Sequence, residues 1–90
     1  MSQVIVNPQE IKKFVGELKR LKQELERNQR QTSAKLRELG NSWKDNEHQK
    51  FQDEFSHFLN NMRPFTNSID EYCQFLERKA SAAESYLSAR

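Results

Sequence analysis

The stretch Leu39-Gly40-Asn41-Ser42-Trp43-Lys44-Asp45 decides the fold, because it is the only helix-breaking segment near the middle of a chain of 90 residues. Gly40 stops a helix, and Ser42 or Asp45 can cap the next one. Amphipathic helical patterns lie on both sides of this stretch. The chain, taken as one domain over residues 1–90, is therefore predicted to be all-α, an antiparallel helix-turn-helix hairpin. Its single tryptophan, Trp43, lies in the turn over residues 40–45 and should pack across the hairpin end or against a partner.

The first helix is predicted over residues 8 to 39. Asn7 can cap it, and Pro8 suits the first helical position. Polar residues occupy its buried face from Asn28 to Thr32, so large side chains of the second helix should compensate there. The apolar residues of that face follow three-four spacing; they are Ile11, Phe14, Val15, Leu18, Leu21, Leu25, Leu36 and Leu39.

The second helix is predicted over residues 46 to 88. Pro64 removes a backbone hydrogen bond, but the apolar stripe keeps its phase across it, so a kink is favoured and a break into two helices is the alternative. The spacing of the stripe stays near 3.5 residues, which is typical of a left-handed bundle. The stripe comprises Phe51, Phe55, Phe58, Met62, Phe65, Ile69, Tyr72, Leu76, Ala80, Ala83 and either Tyr86 or Leu87.

Association is predicted from the small amount of core material. The apolar fraction is 34%, below the ~45–50% of ordinary globular domains. A second copy or a related chain should complete a four-helix bundle through the stripes of both helices. The residues expected in that core are Leu18, Leu21, Leu25, Phe55, Phe58, Met62, Phe65 and Ile69.

Folding at Trp43 predicts a register in which Leu18 lies opposite Phe65. The second helix would then extend past the first, and its end would have no cover within the chain. That end is predicted either to fray or to contact a partner through Leu76, Ala80, Ala83, Tyr86 and Leu87.

Composition and spacing argue against several functional classes. The net charge is +2, and glutamates interrupt the basic run from Lys12 to Arg30, so nucleic-acid binding is not expected. His48 and His57 fall on opposite sides of a helix and cannot share a metal. No histidine stands at helical spacing from Cys73, and no glycine-rich loop is present. We therefore expect no enzyme, no catalytic residues, no metal and no cofactor.

Targeting features are equally sparse. No apolar run approaches the ~18 residues of a membrane span, and the first residues lack the pattern of a cleaved signal peptide. The single cysteine, Cys73, excludes an intrachain disulfide. We expect a protein that is either cytoplasmic or exported without a cleaved signal peptide.

The tryptophan turn and the following Phe51 and Phe55 resemble the Trp-Xaa-Gly family of small proteins handled by type VII (Esx-type) secretion systems. The chain departs from the family pattern at two places. Asp45 stands where the family has glycine, and neither Tyr72 nor Tyr86 is followed four residues later by an acidic residue, as in the family's carboxy-terminal export signal.

The resemblance implies a helical hairpin that pairs with itself or a related hairpin protein and leaves the cell without a signal peptide. It also implies a non-enzymatic role as a substrate or export partner, with Gly40, Trp43 and Asp45 as the turn motif that contacts a partner or the secretion machinery. The alternative from the residues themselves is an intracellular helical adaptor or assembly scaffold, whose stable cytosolic partner would be independent of secretion.

Overall fold

Local capping chemistry sets the bounds of the first helix, α1 (Pro8–Leu39). In the computed structural model, which describes residues 6–88, the Asn7 side chain accepts hydrogen bonds from the backbone N–H groups of Gln9 and Glu10, at 3.0 and 3.4 Å. Pro8 occupies the first helical position, where its missing N–H is not needed. At the other end, the backbone N–H of Gly40 donates to the carbonyl of Arg37. Asparagine and glycine therefore delimit a helix of 32 residues.

The second half of the hairpin is two helices, α2 (Asn46–Asn60) and α3 (Arg63–Ser88). Asp45 caps α2, because its carboxylate accepts a hydrogen bond from the backbone N–H of His48 at 3.1 Å. The kink expected at Pro64 is in the structure an interruption at Asn61 and Met62, two residues before the proline ring. The ring sits in the first turn of α3, where proline is tolerated. One predicted helix is thus divided in two.

The core of the hairpin lies between α1 and α3, which run closely side by side. Val15, Ile69 and Cys73 are its buried centre. Leu18, Leu25 and Leu76 pack against this centre and are partly buried. No strand occurs within residues 6–88, so the described chain is the all-helical hairpin that was predicted, a thin rod of 69 × 19 × 18 Å.

The predicted register of the hairpin is wrong. Phe65, expected opposite Leu18, is 67% exposed, and the next residue of α1, Lys19, pairs instead with Glu77 at 3.6 Å. The prediction assumed an unbroken second helix that follows α1 from the turn onward. In the structure, the backbones of α1 and α2 come close to each other at few points. The interruption at Asn61 and Met62 also adds residues to the chain without lengthening a helix. Each residue of α1 therefore contacts residues of α3 that lie about one to two helical turns further along the sequence than expected.

The shifted register also removes most of the predicted uncovered end. Leu76 packs against the buried centre, and Ala80 is 0% exposed. The expectation that the chain leaves these two residues without cover is therefore wrong. Only the last turns of the described helix are open, since Leu87 is half-exposed and Tyr86 is exposed.

Candidate partner-docking surface

One side of the hairpin is held by ion pairs between α1 and α3. In two of the three pairs the partners follow directly after inward-facing residues of each helix, as Lys19 follows Leu18 and Glu77 follows Leu76. In an antiparallel helix pair such positions lie on the same edge of the interface. Lys22 instead occupies a position of the inward stripe itself, four residues after Leu18. The pairs are Lys12 with Glu84, Lys19 with Glu77 at 3.6 Å, and Lys22 with Asp70 at 2.8 Å.

Lys22 is the best-connected member of this edge. Its Nζ donates to both carboxylate oxygens of Asp70, each at 2.8 Å, and Glu26 lies 3.8 Å away along the same helix. The hydrogen bond to Asp70 raises the pKa of Lys22 above its ordinary value of 10.5, with further help from the negative charges of Asp70 and Glu26. The ammonium group is thus held charged where it joins the two helices.

The opposite side of the hairpin is apolar. Its residues come directly before inward-facing positions, as Phe14 precedes Val15 and Tyr72 precedes Cys73. This is the reverse of the order on the charged edge, so these side chains lie on the other edge of the same interface. We call this surface the aromatic face; it comprises Phe14, Leu21, Phe51, Phe58, Phe65 and Tyr72.

The aromatic face is too exposed to serve the folding of a lone chain. Phe58 is 57% exposed and Tyr72 is 57% exposed, and the neighbouring Phe75 is 60% exposed. Large exposed apolar patches are rare on monomeric proteins and mark interaction sites. The geometry thus supports docking of another apolar surface along this side.

The residues predicted as the core stripe therefore divide into a buried or partly buried set and an exposed set. Leu18, Leu25, Phe55 and Met62 are partly buried and Ile69 is buried, whereas Leu21, Phe58 and Phe65 are exposed. Residues on the exposed edge and residues in the core both recur every seven positions. Sequence spacing alone therefore does not distinguish the two sets. Within one chain Leu21, Phe58 and Phe65 are exposed, and their place in the core of a four-helix bundle stays a prediction.

The tryptophan turn begins a series of aromatic rings that continues along α2. Trp43 is half-buried, and its ring meets the edge of His48 with centroids 5.1 Å apart and planes at 78°. Its centroid lies 6.5 Å from that of Phe51, and Phe51 stacks on Phe55 at 6.1 Å. Phe55 in turn stacks on Phe58 at 5.9 Å. The turn and the two members of the aromatic face on α2, Phe51 and Phe58, therefore belong to one series of neighbouring rings.

His48 is the residue of this site that the sequence analysis missed. It is 8% exposed, and its Nε2 lies 3.3 Å from the carbonyl oxygen of Leu36, so the ring joins α2 to the end of α1. A Cβ on Gly40 would lie 3.1 Å from the His48 ring, which explains why glycine suits that position. The available signal was three-four spacing from His48 to Gln52 and Phe55.

Beyond the turn, α1 and α2 leave a gap between them. A cavity of about 270 Å³ is lined by Ser33, Leu36, Arg37, Gln52, Phe55 and Ser56. The aromatic rings of α2 thus pack chiefly on one another, because α1 presents small and polar residues in this region. The large side chains expected to fill the space beside the polar stretch from Asn28 to Thr32 fill it only in part within one chain.

An apolar recess lies at the end of the rod away from the turn. Its volume is about 580 Å³, and it is lined by Val6, Lys79, Ala82, Ala83, Tyr86 and Leu87. Three of the residues predicted as carboxy-terminal contacts, Ala83, Tyr86 and Leu87, therefore share one surface. The other two, Leu76 and Ala80, lie inside the hairpin.

Residues 6–88 contain no group of three or more histidine, cysteine, aspartate or glutamate side chains placed to hold a metal ion. None of their helices is long and apolar enough to cross a membrane.

Comparison with known proteins gives one family and no individual relative. A family model described as WXG100, proteins of 100 residues with WXG, matches residues 3–86. No match to the chain is found among curated proteins or among solved structures. The match spans nearly the whole chain and confirms the resemblance based on the tryptophan turn. The chain belongs to the WXG100 family of small helical proteins, which places it in the context of type VII secretion.

Proposed function

We propose that this chain is a non-enzymatic hairpin protein that a type VII secretion system exports, alone or with a partner hairpin. The partner docks on the aromatic face and completes a four-helix bundle. The observation that carries the proposal is the row of half-exposed to exposed aromatic side chains opposite the ion-paired edge. Family membership supports the secretion context.

The docking part of the proposal follows from burial. Burying a fully exposed large apolar side chain contributes about 1.5–3 kcal/mol. The side chains of the aromatic face are already about half covered, so covering the remainder contributes about half of that for each. Phe65 and Tyr72 are spaced seven residues apart on α3, so a helix of a partner can cover both. The gap between α1 and α2 offers a place where a partner side chain inserts beside Phe55. The carboxy-terminal recess and the Trp43 turn, at opposite ends of the rod, are the proposed contacts with the secretion machinery.

Export is tested by expressing the tagged chain in its host with and without the secretion ATPase. We expect the protein in the culture medium only when the ATPase is intact. Strict retention in cells under secreting conditions would overturn the export role. A stable complex in the cytosol that forms regardless of the ATPase would support the adaptor alternative instead.

Docking is tested by the double variant F58S/F65S, which removes two rings of the aromatic face. We expect the variant to keep its helix content, because both rings are largely exposed in the lone chain, and to lose association with a hairpin partner. The matched control is E71S/R78S, two exposed residues of α3 outside this face. Equal association of F58S/F65S and the control would place the docking surface elsewhere.

A further inference from the structure

The charged edge of the hairpin, which carries the ion pairs between α1 and α3, is neutralised along α3 but not along α2. Beside α3, lysines of α1 pair with carboxylates, as Lys19 does with Glu77. Nearer the turn, α1 has two arginines, Arg30 and Arg37, about three and five helical turns after Lys19 and therefore on the same side of the helix. Neither arginine forms an ion pair or a hydrogen bond within residues 6–88.

The two arginines line one shallow recess on the surface of α1. Its volume is about 360 Å³, and it is lined by Glu26, Gln29, Arg30, Ser33 and Arg37. We call it the arginine recess. Ser33 is half-buried and lies three residues after one arginine and four before the other, so the three side chains share one face of the helix. The one carboxylate in this lining, that of Glu26, lies 3.8 Å from Lys22.

On the facing side, α2 supplies no carboxylate to the recess. Ser33 and Arg37 also line the gap between α1 and α2, and the α2 residues at that gap include Gln52 and Ser56. An amide and a hydroxyl cannot neutralise a guanidinium group. Asp53, next to Gln52 in sequence, accepts a hydrogen bond within its own helix instead. The arginine recess thus carries positive charge that the described part of the hairpin does not compensate.

We propose that the arginine recess binds a helical segment of another protein through two carboxylates that lie seven residues apart. Arg30 and Arg37 are themselves seven residues apart, or about 10 Å along the helix axis. A helix lying alongside α1 repeats its side chains over the same distance. The planar guanidinium group forms bidentate hydrogen bonds with a carboxylate, and the Ser33 hydroxyl between the arginines can donate another. This site lies on the charged edge, so the proposal does not depend on docking at the aromatic face.

The surroundings of the recess favour such a segment over a nucleic acid or a second copy. Glu26 lines the recess and Glu38 follows Arg37, so a long polyanion meets negative charge on both sides of the arginines. In a second copy, the carboxylates of the charged edge already pair with lysines. Others at the right spacing, such as Glu17 and Glu24, lie on the opposite side of α1. Their contact with the recess would join unlike surfaces and build rings or open chains of copies.

Peptide binding to the folded chain tests this proposal. The probe is a helical peptide with two glutamates seven residues apart, and the matched peptide has glutamine at both positions. Binding is followed by NMR through the Nε–H signals of Arg30 and Arg37. We expect the glutamate peptide to shift both signals and to bind about tenfold more tightly than the glutamine peptide, with the difference lost at high salt. Absence of any shift in these signals would overturn the proposal.

Two variants with unchanged helix content by circular dichroism locate the binding. R30Q/R37Q should lose the preference for the glutamate peptide. The control R27Q/R78Q removes the same charge from exposed positions outside the recess and should keep the preference. Equal losses in the two variants would indicate general charge attraction and overturn the proposal.

Three further measurements separate the occupants of the recess. Tighter binding of inorganic phosphate or of a DNA oligonucleotide than of the glutamate peptide would overturn the proposed partner class. Sedimentation of the unaltered chain as an oligomer that R30Q/R37Q abolishes would assign the recess to a second copy and overturn it as well. The variant F58S/F65S should bind the peptide like the unaltered chain, so the failure of either proposal leaves the other standing.

Discussion

Individual residues of the hairpin divide into those that stabilise the lone chain and those that serve association. Ile69 is 8% exposed and belongs to the buried centre with Val15 and Cys73. Phe65, although larger, is mostly in solvent. The apolar character of a residue therefore does not reveal its role here, and its position relative to the α1–α3 interface does.

This division predicts the effect of two substitutions on the isolated chain. Ile69→Ala removes buried methyl groups and leaves a cavity, so we expect the free energy of unfolding to fall by about 2–4 kcal/mol. Phe65→Ala should change it by about 0.5 kcal/mol or less, since its ring is exposed. Urea unfolding of the dilute protein measures both. Similar losses for the two variants would mean that Phe65 belongs to the core of one chain.

Lys22 gives a dependence of stability on alkaline pH. Because the pKa of Lys22 in the folded state lies above 10.5, the folded chain binds the proton of Lys22 more tightly than the unfolded chain does. The resulting stabilisation is complete below about pH 10.5 and is lost as the pH rises through the higher folded value. We expect the stability difference between the unaltered chain and Lys22→Met to shrink from pH 9 toward pH 11.5. The control Lys13→Met, which breaks only a pair along α1, should show no such trend.

At the scale of the elements, α2 differs from its two neighbours. It is capped by Asp45 and carries stacked rings, yet it has few close approaches to α1. A helix of 15 residues without tertiary support is marginal in water. The middle of the rod between α1 and α3 should therefore be more stable than the half next to the turn.

Amide hydrogen exchange measures this difference. We expect the amides of Phe55 to Leu59 in α2 to exchange at least about tenfold faster than those of Ile69 to Leu76 in α3, because local opening of α2 exposes little apolar surface. Partner binding should slow exchange in α2 more than in α3. Equal protection of the two helices in the lone chain would show that the gap beside Phe55 is closed in solution.

Sequence patterns account for the elements better than for their contacts. The capping residues Asn7 and Gly40 place α1 by local hydrogen bonding, which needs no knowledge of the rest of the chain. The register of the hairpin depends on how α2 leaves the turn and on the interruption before Pro64, and neither has a local signal strong enough to fix the path. The burial of His48 depends in the same way on tertiary geometry. The turn motif and the aromatic residues could thus be identified from sequence, but which aromatics remain exposed could not.

At the scale of the whole molecule, the hairpin is far from globular. The radius of gyration of its Cα atoms is 20.7 Å, compared with about 12 Å for a compact domain of this length. Such a rod has a large surface relative to its volume, so one α1–α3 interface has to support the fold of the lone chain. This shape is the physical reason that a partner hairpin would add stability.

Small-angle X-ray scattering of the monomeric chain tests this shape. We expect a radius of gyration near 21 Å with the mass of one copy, because the hairpin is a rod of 69 × 19 × 18 Å. Light scattering on the same sample gives the mass. A value near 12 Å would show that the chain covers its own aromatic face by folding over, which would remove the need for a partner.

The position of the buried centre has a consequence for how the hairpin forms. Val15 and Cys73 meet although they are 58 positions apart in the chain, and the region next to the turn contributes little packing. Folding must therefore close the long loop between these residues before much apolar contact forms. The entropy lost in closing that loop is a barrier to folding. A protease nick in the turn between α1 and α2 should therefore leave the two segments joined through this centre.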